Sequence, residues 1–205
     1  MALIKGLLLS FDDPLLGVVP TVVPFQYNPT EIQRVFRTES TGAAAGERSG
    51  AALNAAVPPQ EDYTLKLELD ATDGLERSGP ITLSNGIAPR LAALEVMMQP
   101  VGKSLLGGLL TGGNVTIPAT KLRLVLFAWG PLRITPVRFT SLTIRETAFD
   151  ELLNPIHATA DVGLRVLRLA DLGEDEQFAR AAATYYQGVR EVRAVLQIPQ
   201  TAELI

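Results

Sequence analysis

Between Lys121 and Leu169 the chain runs through three successive segments that carry apolar residues at every second position. They are Leu122, Leu124 and Leu126; then Phe139, Leu142 and Ile144 with one slip; then Val162, Leu164 and Val166. Period two is the signature of a half-buried β-strand. The segments are long for strands and their connections short, which predicts an antiparallel meander. The block holds no recognisable catalytic group, so it reads as scaffold.

The rest of the chain suits a domain built around that block. With 205 residues, 47% of them hydrophobic and 20% charged, it can bury a sizeable core in one domain, with room for a small appendage. The net charge of −4 provides no basic field for phosphates, so nucleic-acid binding is not expected. Cysteine is absent, which excludes disulfides and thiolate metal sites and suits synthesis in the cytoplasm. Leu7 to Leu9 form a short apolar run that Phe11-Asp12-Asp13-Pro14 ends too early for a signal peptide, so a first strand is the reading. No apolar stretch approaches the ~20 residues that cross a bilayer, and no direct membrane insertion is expected.

Thr21 to Tyr27 reads as a second strand, stopped by Asn28-Pro29, and Ile32 to Glu39 as a third, with Ile32, Val35 and Phe36 apolar. Residues 40–60 lose periodicity and contain little that is large enough to bury. They are expected to form a mobile loop or arm, or a segment that a partner orders. Tyr63 to Leu69 alternates cleanly, with Tyr63, Leu65, Leu67 and Leu69 on one face. From Ala88 to Met98 the period becomes helical, presenting Leu91, Leu94, Val96 and Met97 or Met98. Pro89 suits the first turn of this helix and Pro100 stops it. Leu105 to Asn114 reads as a Gly-rich and Leu-rich loop. Glu174 to Leu196 reads as a second helix with an apolar stripe of Phe178, Ala181, Ala182, Tyr185, Val189, Val192 and Leu196. Such a stripe has to lie against this domain or a neighbour.

Chemistry-bearing residues are sparse. His157 is the one histidine, and Asp161 shares its strand face but lies too far along for a direct bond between short side chains. Gly102-Lys103-Ser104 resembles the end of a phosphate loop. It has Met97 where that loop needs a glycine, and a helix where it needs a strand. Asp70, Asp73 and Glu76 match no calcium-loop spacing, and Asp70 and Asp73 read as caps of a short helical turn. No cofactor and no enzymatic activity are expected. Two rival readings are a β-barrel module that binds a small ligand and a metal enzyme using those three acids.

Several short passages, taken in order, resemble a known family. Phe25-Gln26-Tyr27-Asn28-Pro29 matches a "Phe-x-Phe/Tyr-Asn-Pro" start, and Leu67 to Thr72 a strand ending at an aspartate. Leu126 to Gly130 is similar to a "Phe-x-Trp-Gly" strand end. Ser141 to Phe149 with Asn154-Pro155 and His157-Ala158 is similar to a "Ser…Thr-x-Phe…Gly-x-Pro-x-Arg-Ala" passage, with Asn154 in place of the glycine and His157 in place of the arginine. The chain thus resembles, over about residues 3 to 170, the baseplate or tube-adaptor proteins of phage-tail-like contractile injection systems.

The resemblance implies a mainly β (α+β) fold. Residues 1–172 would form a tail-tube-like antiparallel β-barrel or sandwich with one flanking helix; the helical period read above makes residues 173–205 a C-terminal helical extension. It implies a ring, of six copies, that joins spike hub and baseplate proteins to the inner tube protein. Assembly would be cytoplasmic, into a particle that is released or membrane-attached. Many members carry a LysM domain after the β domain, but residues 174–205 lack its Gly-Asp-Thr-Leu opening. Phe25, Tyr27, Trp129 and Phe149, with Phe178 and Tyr185 on the last helix, are the expected core or interface anchors.

Overall fold

The structure, a computed structural model, describes residues 4–11, 20–38, 58–76, 80–101 and 121–197, with backbone alone at 73, 74, 101, 121 and 122. Its elements in chain order are β1 (Leu7–Phe11), β2 (Thr21–Pro24), β3 (Ile32–Arg37), β4 (Gln60–Asp70), α1 (Thr72–Glu76), α2 (Pro80–Asn85), α3 (Ala88–Met98), β5 (Pro100–Val101), β6 (Lys121–Leu122), β7 (Leu124–Ala128), β8 (Ile134–Phe149), β9 (Pro155–Val166) and α4 (Gln177–Val195). A 3-10 turn at Leu169–Asp171 precedes α4. The expected arm as far as Val57, the Gly102-Lys103-Ser104 passage and the Leu105 to Asn114 loop lie outside the described residues.

The expected meander is present. β7, β8 and β9 are neighbours in one antiparallel seven-stranded sheet of order β2-β1-β7-β8-β9-β4-β3, while β5 and β6 pair separately. The slip in the second segment is a β-bulge. Phe139 opposes Leu164 and Ser141 opposes Gly163, so Thr140 is the extra residue and the side-chain parity resets. Phe139 before the bulge and Leu142 and Ile144 after it therefore all pack against the core. Gly163 is needed beside the bulge, because a Cβ there would stand 2.3 Å from Ser141 Oγ.

In β7 the parity differs from the sequence expectation. Val125 and Phe127 are the residues fully buried in the core, while Leu126 is buried on the other side of the sheet, opposite Leu9 and Pro136. A central strand covered on both faces shows no clean alternation, and period two cannot say which face is the core. β4 alternates as expected: Tyr63, Leu65, Leu67 and Leu69 are buried, and Thr64, Lys66 and Glu68 are exposed. In β3 the inward set is Ile32, Arg34 and Phe36, paired with Leu65, Tyr63 and Glu61, whereas Val35 pairs with Asp62.

The outward faces of β3, β4, β8 and β9 carry charges in ladders, with Asp62 between Arg37 and Arg165 and Asp161 beside Arg145. The inward faces form one apolar cluster, including the rings of Phe25, Tyr63, Phe127 and Trp129. Helix α3 closes on that cluster through Leu91, Leu94 and Met97. Its start is stitched to β9 by the Ile87 N–H, which donates to the Pro155 carbonyl at 2.8 Å. Gly86, with φ +56, passes so close that a Cβ would lie 2.1 Å from that carbonyl oxygen. The short turn expected after β4 is α1, and the Thr72 N–H donates to Asp70 Oδ1 at 2.6 Å.

The fold is mainly β with helices, as expected, but β2 and β3 do not pair with each other. Among the described residues the sheet is open. Besides α3 and α4 the chain makes α1 and α2, beyond the single flanking helix expected.

The last helix corrects a second expectation. Its buried residues are Ala179, Ala183 and Tyr186, not the predicted stripe. The two alanines permit close approach, and the Tyr186 hydroxyl finds a partner on the sheet, so this narrower face wins over the bulkier one. Phe178, Tyr185 and Val192 remain substantially exposed, together with Val195 and Leu196.

Candidate assembly surface

Where α4 crosses the start of β4 it meets a buried carboxylate. Glu61, 2% exposed, stands at an inward position of β4 two residues before Tyr63. Arg34 of the adjacent β3 donates to its Oε1 from Nε at 2.9 Å and from Nη2 at 2.6 Å. From α4, the Tyr186 hydroxyl donates to Oε1 at 2.9 Å, and Arg190 Nη1 donates to Oε2 at 3.1 Å. The Tyr63 and Tyr186 hydroxyl oxygens are 2.8 Å apart. Tyr186 spends its single proton on the carboxylate, so Tyr63 is the donor between the two, and the chain of protons runs Tyr63 to Tyr186 to Glu61.

Burial and this hydrogen bond push the Tyr63 hydroxyl far above its ordinary pKa, and burial likewise raises Tyr186, so both stay protonated. Burial works against the Arg34 charge, but the hydrogen bond to Glu61 and the electrostatic influence of Tyr63, Glu61 and Tyr186 together outweigh it and raise the guanidinium. Arg34 and Arg190 also lie over the Phe36 ring, at 5.1 and 5.3 Å. One acid, two bases and two phenols thus fasten the chain's last helix to an edge of its sheet. Oε1 accepts from Arg34 and Tyr186 and Oε2 from Arg190, so both oxygens of the acid are engaged and the group is a clamp.

Beside the clamp lies a cavity of about 430 Å³. Pro58, Pro59, Val166, Leu167, Leu169, Ala170 and Ala183 make its wall apolar. Tyr186, Gln187 and Arg190 line the α4 side. Arg168, which grips Asp171 through two hydrogen bonds and donates to the Pro58 carbonyl, holds the chain entering β4 against the chain leaving β9.

The expected anchors divide into two groups. Phe25 is buried and Trp129 partly buried, their rings 6.3 Å apart within the core. Tyr27, Phe149, Phe178 and Tyr185 are each close to half exposed. Phe178 packs its ring on Phe11 at 5.3 Å, and the Tyr185 hydroxyl donates to the Pro131 carbonyl at 3.1 Å. Phe149 closes β8 opposite Pro155. Asn28 is part of the frame, accepting from the Gly6 N–H and donating to the Ile4 carbonyl, both at 2.9 Å.

His157 and Asp161 do not meet. His157 lies within 2.7 Å of Thr147 Oγ1 and 3.3 Å of Glu68 Oε1, and Asp161 takes Arg145. Among the described residues no three of His, Asp and Glu converge as a metal site. The Asp73 side chain lies outside the described residues.

Sequence reasoning missed Glu61, Arg34, Tyr186 and Arg190. One signal was available: in the alternation of β4, Glu61 occupies the parity of Tyr63 and Leu65, and a carboxylate there needs a buried cation. The partners on α4 lie more than 120 residues away and carry no such mark. Among the described residues no helix is long and apolar enough to cross a membrane. Neither a scan against protein-family models nor a search of curated proteins finds a match to this chain.

Proposed function

We propose that this chain is a structural ring subunit of a phage-tail-like contractile injection particle, joining the spike hub and baseplate to the inner tube by assembly and not by catalysis. The observation that carries the reading is the exposed stripe of α4. Val192, Val195 and Leu196 stay largely in water, and Phe178 and Tyr185 stay nearly half exposed, although the helix is already clamped to its own domain by another face. An apolar surface left over after the core is complete is available to a neighbour. Two further features support the reading: among the described residues β2 and β3 are the edges of the sheet, with ladder groups a neighbouring chain can complete, and the motif order resembles that of the tube-adaptor proteins. In such a ring the sheet is one subunit's share of a tube-like wall.

The test is size-exclusion chromatography with light scattering on the full chain, alone and with the tube protein of the same particle. A discrete ring, of six copies on the family expectation, or a stable complex with tube protein is the expected result. A monomer at all concentrations that ignores tube protein overturns the proposal.

A further inference from the structure

The β8–β9 hairpin ends in a closed loop that exposes two leucines. Leu152 is 77% and Leu153 78% exposed, with half-exposed Phe149 at the base. The loop is held in shape by Asp150, whose Oδ1 accepts the Leu152 and Asn154 N–H groups, each at 2.8 Å. Its Oδ2 accepts from Asn154 Nδ2 at 2.9 Å. Leu153 stands at φ +64, in the left-handed region that glycine or asparagine enters at lower cost. The tip therefore opposes both solvation and backbone preference, and such departures mark contact sites.

The complementary surface is on the same chain at the other end of β9, about 36 Å away at the rise of an extended strand. It is the 430 Å³ cavity walled by Pro58, Pro59, Val166, Leu167 and Leu169, large enough for two leucyl side chains. Charge agrees with shape. Exposed Glu151 has no partner among the described residues. At the cavity rim Arg190, about half exposed, gives one N–H to Glu61 and keeps further donors. Of the acids at the rim, Glu61 is paired with Arg34 and Arg190, and Glu191 accepts a hydrogen bond from Gln187 and keeps its charge. A rigid strand separates tip and cavity, so they cannot meet within one molecule.

We infer that the Leu152-Leu153 tip of one copy seats in the Pro58-Val166-Leu169 cavity of a second copy, making a head-to-tail contact. The inference rests on the assembly reading above and names the surfaces that make it. Because the two halves differ, a joined pair keeps one free tip and one free cavity, and the contact propagates until its rotation closes a ring.

Sedimentation of the full chain tests it with two variants, L152S/L153N for the tip and A170W for the exposed cavity rim. Asparagine suits the left-handed backbone, so the tip variant should melt no lower than the wild type. Each variant alone should raise the midpoint concentration of self-association by on the order of a hundredfold. Mixed in equal amounts, the two should form a dimer and nothing larger, since each supplies one intact half. A folded tip variant that associates like the wild type, or a mixture that stays monomeric, overturns the contact. If the wild type still forms its ring in that case, the assembly reading stands without this contact. If the wild type neither self-associates nor binds tube protein, both fall. Native mass spectrometry that finds a small apolar molecule filling the wild-type cavity also overturns it.

Discussion

The Tyr186 hydroxyl lies 2.9 Å from Oε1 of Glu61, a bond that spans 125 residues and joins α4 to the start of strand β4. It sets which face of α4 is buried, and hence which face is left for other molecules. The clamp is mixed in its energetics. Taking Glu61 out of water is costly, and its two arginines and one phenol offset that cost only while all three are present.

Removing one partner should therefore cost more than a surface ion pair would. Tyr186→Phe is expected to destabilise the fold by about 1–2 kcal/mol, because it takes one donor from a buried carboxylate. Glu61→Ala should cost about 2–3 kcal/mol, reduced from the value for a fully buried pair because Arg34 and Arg190 both reach solvent. The double variant should lose less than the sum. Urea unfolding of the three variants measures the coupling, and strict additivity would show that the phenol and the carboxylate do not act together.

At acid pH the carboxyls of Asp171 and Asp70 should contribute to a fall in stability. Burial pushes Asp171 up, but its hydrogen bonds from Arg168 outweigh this and hold it below the usual carboxylate range. Hydrogen bonds from the Thr72 side chain and N–H do the same for Asp70. A group whose folded pKa is depressed binds fewer protons when folded, so its contribution is present above the unfolded value, about 3.9, and is lost as pH falls through the folded value. Thermal melts should be nearly flat from about pH 7 to 5 as far as these groups are concerned, and drop below about pH 4. Asp171→Asn should flatten part of that drop. An unchanged acid limb in this variant counts against the assignment.

The alkaline side runs the other way. Tyr63 and Tyr186 have raised pKa values in the folded chain, so the unfolded chain releases their protons first. Their contribution to stability is complete below the unfolded value, about 10, and is lost as pH climbs above it. Tyrosinate absorbance followed with unfolding should show these two phenols ionising together with the loss of structure. Ionisation of both in a still-folded chain would show that the clamp opens locally.

Two glycine substitutions should differ in severity for a stated reason. At Gly163 an added methyl meets the Ser141 hydroxyl, which can turn aside, so Gly163→Ala should cost about 1–2 kcal/mol. At Gly86 the obstacle is the Pro155 backbone carbonyl and φ is positive, so Gly86→Ala should cost clearly more, about 3 kcal/mol or beyond. Calorimetric melts rank them, and the reverse order would mean that the α3–β9 junction is looser than its hydrogen bonds imply.

The exposed stripe of α4 yields a prediction that separates stability from assembly. Val192 is 61% exposed and is not part of the core, so Val192→Lys should change unfolding by no more than about 0.5 kcal/mol. The same change should weaken association with neighbouring copies or with tube protein, read by light scattering on the mixed proteins. An assembly that forms as before would move the interface away from α4.

What the chain determined by itself is the set of its periodic elements. The meander, the slip that becomes the Thr140 bulge, the clean alternation of Tyr63 to Leu69 and the Ala88–Met98 helix were legible because each is a local pattern with a fixed repeat. Faces were less legible. Val125 and Phe127, not the leucines beside them, fill the core, because a strand covered on both sides carries no mark of which side is inner. The buried face of α4 and the Glu61 clamp were decided by tertiary structure alone. Their partners are separated by most of the chain, and their balance between desolvation and pairing exists only once β3, β4 and α4 are brought together. The same holds for the cavity and the leucine tip at opposite ends of β9. Period two at Lys121 to Leu169 foretold strands; the distance and orientation between their ends came only from the folded sheet.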